Sequence, residues 1–436
     1  MSQITIAVDL PPDITAESYE RIGDNYGFSV SWPLPSHCQC DRCHREEEAH
    51  ISYRSNSQVI RDLDILGSIT FWIYQSPYHR CPRCGYRQDL IPPFKRKDVK
   101  YTLRFEAEVL RLMIGGTEED TSRRLGISAE TVHAIVANQV NDFRNKEVDP
   151  NRVILDVGID ELSLKKGHKL YATILTDLTD PAHPQVLAVS DGRDEAAGRK
   201  CLEKLSETQL EQIRTYRADM GPAYHKACRE LLPNAQAVVD RFHVAKLFNE
   251  AIDQQRKKLT HAYKEKLTKA ERKEFRSQMW EFRRNPNDLT EEEKQKLEVL
   301  FQRLPGLRSL YDFRVRFQAI FDRTWDRKAA RSALQQLFFD MLDECLELDR
   351  FIRTFEHWEE PILNYFDARQ TSGPVEGINN KARVILKRAY GLRLTDSLWT
   401  RLILDLNRSK DVVRYTIGQI RGLVSKFRDS SSYACA

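Results

Sequence analysis

Three acidic residues lie far apart in the chain: Asp160 in GIDE, Asp219 in RADMG and Glu376 in SGPVEGINNKARVILKRAYGLR. Together they could hold divalent cations. Carboxylates are hard oxygen donors suited to Mg²⁺ or Mn²⁺. Two such ions about 4 Å apart can clamp the attacking and leaving oxygens of a phosphodiester. That chemistry asks for one acid shared by both ions and two that flank them. Each acid also has an ordinary role. An Asp ending a strand commonly caps a turn. A Glu in a first helical turn favours the dipole and pairs with cations one or two turns on.

The elements that must position them are legible. From Val153, VILDVGIDELSLKKGHKLYATILTDL reads as a strand, a basic turn and a second strand, and QVLAVSDGRD as a third. EAAGRKCLEKL is helical, IRTYRADMG a strand ending in Asp219, PAYHKACREL helical, and AQAVVDRFHV a strand. This succession predicts a mixed sheet covered by helices, with Asp160 and Asp219 at strand ends. A charged segment of helical periodicity follows from Val244 to about Arg369, and its Trp325 is either core or a surface for stacking a base. In the Glu376 helix, Glu376, Asn380, Arg383 and Lys387 share one stripe, and Ile378, Ala382, Ile385 and Ala389 another.

Nine cysteines are unevenly spread, five of them between Cys38 and Cys84. An odd count with one tight cluster argues for a metal site in a reducing compartment, not a disulfide framework. Cys40, Cys43, Cys81 and Cys84 form two Cys-x-x-Cys knuckles, the donor set of a structural, four-thiolate Zn²⁺ in a zinc ribbon. Cys38 could replace Cys40; His37, His44 and His79 are weaker substitutes.

After a Pro- and Lys-rich joint, LRFEAEVLRLMIGG reads as a helix stopped by Gly115 and Gly116. Thr117 can cap a short helix, Gly126 can turn the chain, and Ser128 with Thr131 can start the next helix. Leu125, Ile127, Val132 and Ile135 are expected in its core. This is the layout of a DNA-reading helix-turn-helix, with Glu130, Thr131 and His133 near base edges.

The 436 residues, 41% hydrophobic and 30% charged, suit a soluble multidomain protein, and no apolar run or basic-then-apolar start marks a membrane or secreted chain. A cytosolic location is expected. The net charge is only +4, but Glu376 to Asp429 carries twelve Lys and Arg against five acids. That excess favours a polyanion. Lys381, Arg383, Lys387, Arg388 and Arg393 are the cations expected on a DNA backbone.

At CDRCH, RCPRCGYR, LGISAETVHAI, GIDELSLKKGHKLYATILTDL, RADMGPAYHKA, VVDRFHVAKL and the Glu376 stretch, the chain resembles the ISL-three family of bacterial insertion-sequence transposases. The stretches recur in the family's order from about Cys38 to Arg393. The resemblance implies a multidomain α+β chain. Its parts would be an unassigned segment (1–35), a zinc ribbon (36–95), a helix-turn-helix domain (96–150), and an RNase-H-like α/β catalytic core (151–243 and 371–436) interrupted by an all-helical insertion (244–370). It carries the family's catalytic acids onto Asp160, Asp219 and Glu376, which would bind two Mg²⁺ or Mn²⁺ ions. Its Asp-x-x-His element falls on Asp240 and His243, which would either support the metal ligands from behind or order the sheet edge. The implied activity is binding of terminal inverted repeats, two-metal hydrolysis at the 3′ ends, and joining to target DNA by a dimer or larger assembly. The alternatives are a non-catalytic DNA-binding regulator and a nuclease without strand transfer.

Overall fold

The computed structural model describes residues 10–407 apart from 12, 148–150, 166–168, 263–267, 271–272, 274–278, 325, 344–347, 370–372 and 390–394. Trp325 and Arg393 therefore lie outside the described residues. The chain divides into two compact units, Met1–Glu147 with Thr400–Ala436, and Val148–Trp399.

The first unit is built on a sheet of order β1-β2-β6-β5, with a short β7 on β6. Its strands are β1 (Thr15–Ile22), β2 (Asn25–Ser31), β5 (Ile51–Ile65), β6 (Ser68–Arg80) and β7 (Arg87–Asp89); β3 (His37–Gln39) and β4 (Glu46–Glu48) form a separate small ribbon. The segment before residue 36 thus supplies two strands, and β2 pairs in parallel with β6. Leu66 and Gly67, both with positive φ, turn β5 into β6, the backbone that a two-residue hairpin matched to sheet twist demands. Edge-on aromatic contacts fill the core: Phe94 stands 5.1 Å from both Trp32 and Trp72 and 5.4 Å from Tyr74.

Three helices follow: α1 (Leu103–Met113), α2 (Glu118–Leu125) and α3 (Ala129–Glu147). Thr117 accepts from Asp120 N, Gly126 closes α2 at φ 62°, and Ser128 Oγ accepts from Thr131 N, so the capping read from sequence is present. The core differs from expectation. Val132 and Ile135 are buried, whereas Leu125 and Ile127 are half-buried. Most of the interior comes instead from Phe105, Val109, Leu110 and Met113 of α1 with Val136 and Val140 of α3, because a two-turn α2 presents few apolar side chains. Two buried acids lock α1 in place. Asp62 of β5 accepts from Thr102 Oγ1 at 2.6 Å and from Arg104 Nε at 2.7 Å. Glu106 takes both arms of Arg96 at 3.0 Å and Gln139 Nε2 at 2.7 Å.

The second unit holds a five-stranded sheet of order β10-β9-β8-β11-β12. These are β8 (Asp156–Lys165), β9 (Leu170–Asp177), β10 (Gln185–Asp191), β11 (Thr215–Ala218) and β12 (Gln236–Val239). β8, β9 and β10 are antiparallel neighbours; β11 and β12 run parallel to β8. α4 (Glu195–Leu202), a short α5 (Glu207–Gln212) and α6 (Pro222–Leu231) accompany the sheet, and Ile159, Leu175, Cys201, Tyr216, Tyr224 and Cys228 share its core. α7 (Arg241–Ala262) opens a helical layer that reaches Ala368 around a second core rich in Phe. The chain then returns to β8 as the Gly373–Arg388 helix. Among the described residues, no helix is long and apolar enough to cross a membrane.

Candidate active site and metal centre

Strand register brings the acids together. β8 and β11 pair with Thr215 opposite Asp156, Tyr216 opposite Val157 and Arg217 opposite Gly158. Carried two residues further, the same offset sets Asp219 opposite Asp160. β11 and β12 pair with Ala218 opposite Val239, which sets Asp240 opposite Asp219. Matched positions on parallel neighbours emerge on one face of a sheet. Asp160, Asp219, Asp240, His243, Glu376, Asn379 and Arg383 accordingly line one cleft of about 110 Å³. One expectation needs correction: Asp160 lies within β8, opposite Ile174 of β9, rather than at a strand end. Only the pairing with β11 stops beforehand, at Gly158, and that edge is what opens the cleft.

Glu376 arrives on the Gly373–Arg388 helix, whose Val375, Ile378, Ala382, Ile385 and Leu386 are buried. Glu376, Asn380, Arg383 and Lys387 are exposed, the two-stripe pattern of the sequence. The helix can approach β8 because residue 158 is glycine. A Cβ there would stand 2.4 Å from Val375 Cγ2 and 3.0 Å from Leu178 Cδ1. The residue beside Glu376 thus sits in the space a side chain would fill.

Asp160 is held at both oxygens, Oδ1 accepting from Glu161 N at 2.8 Å and Oδ2 from Asn379 Nδ2 at 2.5 Å. Burial pushes its carboxyl above the ordinary range and Asp219 adds to the push, while the Glu161 N–H, His243 and Arg383 pull back. Glu161 is raised too, by burial first and then by Asp219 and Asp160. Asp219 Oδ1 accepts from Gly221 N at 3.0 Å, and its backbone carbonyl accepts from His225 Nε2 at 2.8 Å. Burial holds His225 below its usual range, so its neutral ring donates there and accepts from Tyr216 OH at 3.1 Å. Asp240 Oδ1 accepts from Phe242 N at 3.1 Å, capping α7. Asn379, Glu161 and His225 escaped the sequence reading. Asn379 was discoverable as the one amide among the apolar residues of its helix stripe; Glu161 and His225 stand next to or near an acid without a distinctive spacing.

Asp240 is buried, Asp160, Glu161 and Asp219 are half-buried and Glu376 is exposed, with Arg217 and Arg383 as the arginines on the cleft; carboxylates gathered in this way could hold hard cations. The donor set is open. Among the described residues, only the four cysteines have three or more ligand atoms all within 4.8 Å of one another. Three oxygens on one octahedral Mg²⁺ would stand no more than about 4.2 Å apart, so the acids as they stand do not form one closed chelate.

In the first unit, Cys40 and Cys84 sulfurs are 3.6 Å apart, and those of Cys43 and Cys81 3.8 Å. Four thiolates about 2.3 Å from one Zn²⁺ would stand roughly 3.8 Å from each other, so the cluster fits a tetrahedral zinc shell. Cys38 lies outside the set, as do His37, His44 and His79. On α3, Glu130 and His133 are exposed and His133 Nδ1 is 3.0 Å from Glu118. Thr131 is half-buried and engaged with the Ser128 cap. Of the other cations, Lys381 is exposed and Arg388 half-buried.

Two family models match the chain. The family model of the ISL3 transposase DDE domain, described as "Transposase", matches residues 157–402. That of the "Helix-turn-helix domain of transposase family ISL3" matches residues 91–140. The transposase for insertion sequence element IS1001 of Bordetella parapertussis is 30% identical over 241 residues, 54% of this chain and 57% of its own length. The chain thus spans little more than half of that relative. The transposase for insertion sequence element IS1557 of Mycobacterium tuberculosis is 24% identical over 395 residues, 84% of this chain and 85% of its own. The chain is a member of the ISL3 family of transposases.

Proposed function

We propose that the chain is an active DNA transposase with an RNase-H-like catalytic core, in which Asp160, Asp219 and Glu376 are the catalytic acids. The observation that carries this reading is the shared cleft: two acids matched by strand register and a third on a helix that a glycine admits. The sheet supports the fold assignment, with three antiparallel strands followed by two parallel ones. Asp160, Asp219 and Glu376 would hold two divalent cations, which when bound would activate the attacking oxygen and stabilise the leaving one.

The protein's own groups do the rest. Asn379 and the Glu161 N–H fix both oxygens of Asp160, so the carboxylate meets a ligand in one orientation. His225 pins the backbone at Asp219. Asp240 orients the start of α7, and His243 faces the acids from there. Arg383, Lys381, Lys387 and Arg388 hold DNA phosphates beside the cleft; Arg393 is assigned the same role from sequence alone. The four cysteines hold one structural Zn²⁺, which fixes the knuckles beside the sheet of the DNA-binding unit. The helix-turn-helix reads the terminal inverted repeats, with Glu130, Thr131 and His133 nearest the bases. Two ends must meet, so a dimer or larger assembly forms on DNA in the bacterial cytosol.

Labelled DNA from the element's ends, with Mg²⁺ or EDTA, tests the reading. Wild type should nick the 3′ ends and join them to target DNA. Asp160→Ala, Asp219→Ala and Glu376→Ala should each lose both steps and still bind. Specific binding without cleavage in any metal would make the protein a regulator, and nicking without joined product would make it a nuclease.

A further inference from the structure

A second cavity, of about 520 Å³, opens beside the acidic cleft, between α7 and the helices Met279–Arg283 and Pro305–Arg323. That volume falls within the roughly 300–1,000 Å³ of small-ligand sites. Its walls include buried Ile252, Phe282, Phe317 and Phe321. Phe242 lines both this cavity and the acidic cleft, and it is 53% exposed. A large aromatic left in solvent at the junction of two cavities invites a flat partner.

The charges on the walls are unequal. Arg241 pairs with Asp322 at 2.8 Å, and Arg283 with Asp253 at 3.3 Å. Arg314 is 6% exposed and donates to the backbone carbonyls of Arg283, at 2.9 Å, and Arg284. Its guanidinium lies 5.2 Å from the Tyr311 ring but has no carboxylate partner among the described residues, and its buried Nε–H has no acceptor. A dehydrated guanidinium without an anion is costly, and an electron-rich ligand would relieve it. An apolar side chain from a second copy would fill the space and leave that cost in place.

We propose that this cavity receives one unpaired nucleobase of the DNA strand held at the acids, stacked on Phe242 with its acceptor edge toward Arg314. The proposal rests on the transposase reading above. An aromatic platform beside cations is how sequence-tolerant sites hold single bases, and a base leaves its stack for a protein pocket when the pocket repays the loss.

The test uses the full chain and duplexes of the element's end, with 2-aminopurine at each position flanking the cleaved phosphodiester in turn. At one position its fluorescence should rise severalfold on binding. Phe242→Ala should abolish the rise and slow cleavage about ten- to hundredfold. An abasic nucleotide at that position should restore the variant to within severalfold of wild type, which lost structure could not allow. Ala245→Trp, which fills the cavity and leaves the acids and Phe242 in place, should also abolish the rise. A wild type that binds and cuts with no fluorescence change at any position overturns the proposal, as does Phe242→Ala that cuts normally. A wild type that neither binds nor cuts these ends overturns the transposase reading instead.

Discussion

Replacing Asp160 by Asn separates its charge from its shape. The carboxylate accepts at both oxygens, from Glu161 N at 2.8 Å and Asn379 Nδ2 at 2.5 Å. An amide accepts at one, so one donor loses its partner at a cost of about 1–3 kcal/mol where that donor is buried, as Asn379 is. Against this, the variant no longer buries an anion beside Asp219 and Glu161. Burial raises the folded-state pKa of Asp160. Between the unfolded and folded values the native state therefore binds more protons than the unfolded chain. The charge destabilises the fold above that window, and the penalty fades as pH falls through it. Without metal, the two terms oppose, and the balance should shift toward the variant as pH rises above the ordinary carboxylate range. Added metal distinguishes the variants more sharply. A cation at a hundred times its Kd adds about 2.7 kcal/mol. In a unit the size of Val148–Trp399, each kcal/mol moves Tm by about 2–4 °C. Wild type should therefore gain about 5–11 °C in saturating Mg²⁺ or Mn²⁺, and Asp160→Asn should lose most of that gain. Differential scanning fluorimetry across a metal titration reads both effects. A folded variant that keeps the full metal shift would remove Asp160 from the metal site.

Four further outcomes are expected. Gly158→Ala should push Val375, and Glu376 with it, away from β8, cutting cleavage and the metal-induced Tm rise while leaving affinity for DNA ends unchanged in a mobility-shift assay. Cys81→Ser should lose the single zinc measured by a colorimetric chelator, whereas Cys38→Ser should retain it. Glu106→Ala leaves half-buried Arg96 and buried Gln139 without their acceptor and should lower stability by about 1–3 kcal/mol in urea; a loss well below about 1 kcal/mol would show that α1 is held by its apolar face alone. Arg383→Ala should weaken DNA binding similarly across sequences and reduce the slope of log K against log salt by about 1; an unchanged slope would remove it from the phosphate contacts.

What could be read from sequence was local. Thr117, Gly126 and Ser128 announce caps and a turn within a few residues of where they act, and two Cys-x-x-Cys pairs in one stretch announce a pair of metal knuckles. The exposed and buried stripes of the Glu376 helix follow from 3.6-residue periodicity. What remained hidden depends on contacts between distant segments. Of the two strands before Ser36, β2 pairs with β6, some forty residues downstream, and its own pattern does not name that partner. Asn379 belongs by periodicity to the buried stripe, where an amide is a liability until a distant Asp160 accepts its proton.

The acids themselves show why neighbouring positions in space were partly legible. Their types and order suggested one site, but only register turns three segments into a cleft. A slip of one residue between β8 and β11 would send Asp219 to the opposite face from Asp160. That register is fixed by Tyr216 packed into the core and by Arg217, at the edge of the cleft, paired with Asp156 across the two strands. Arg217→Leu should accordingly loosen the match and lower metal affinity, although Arg217 touches no metal in this reading. The same substitution combined with Asp156→Leu replaces the buried pair by apolar volume, and should recover part of the lost stability. If the double variant also recovers metal binding, the pair serves to hold register; if it recovers stability alone, the Arg217 charge acts on the acids directly.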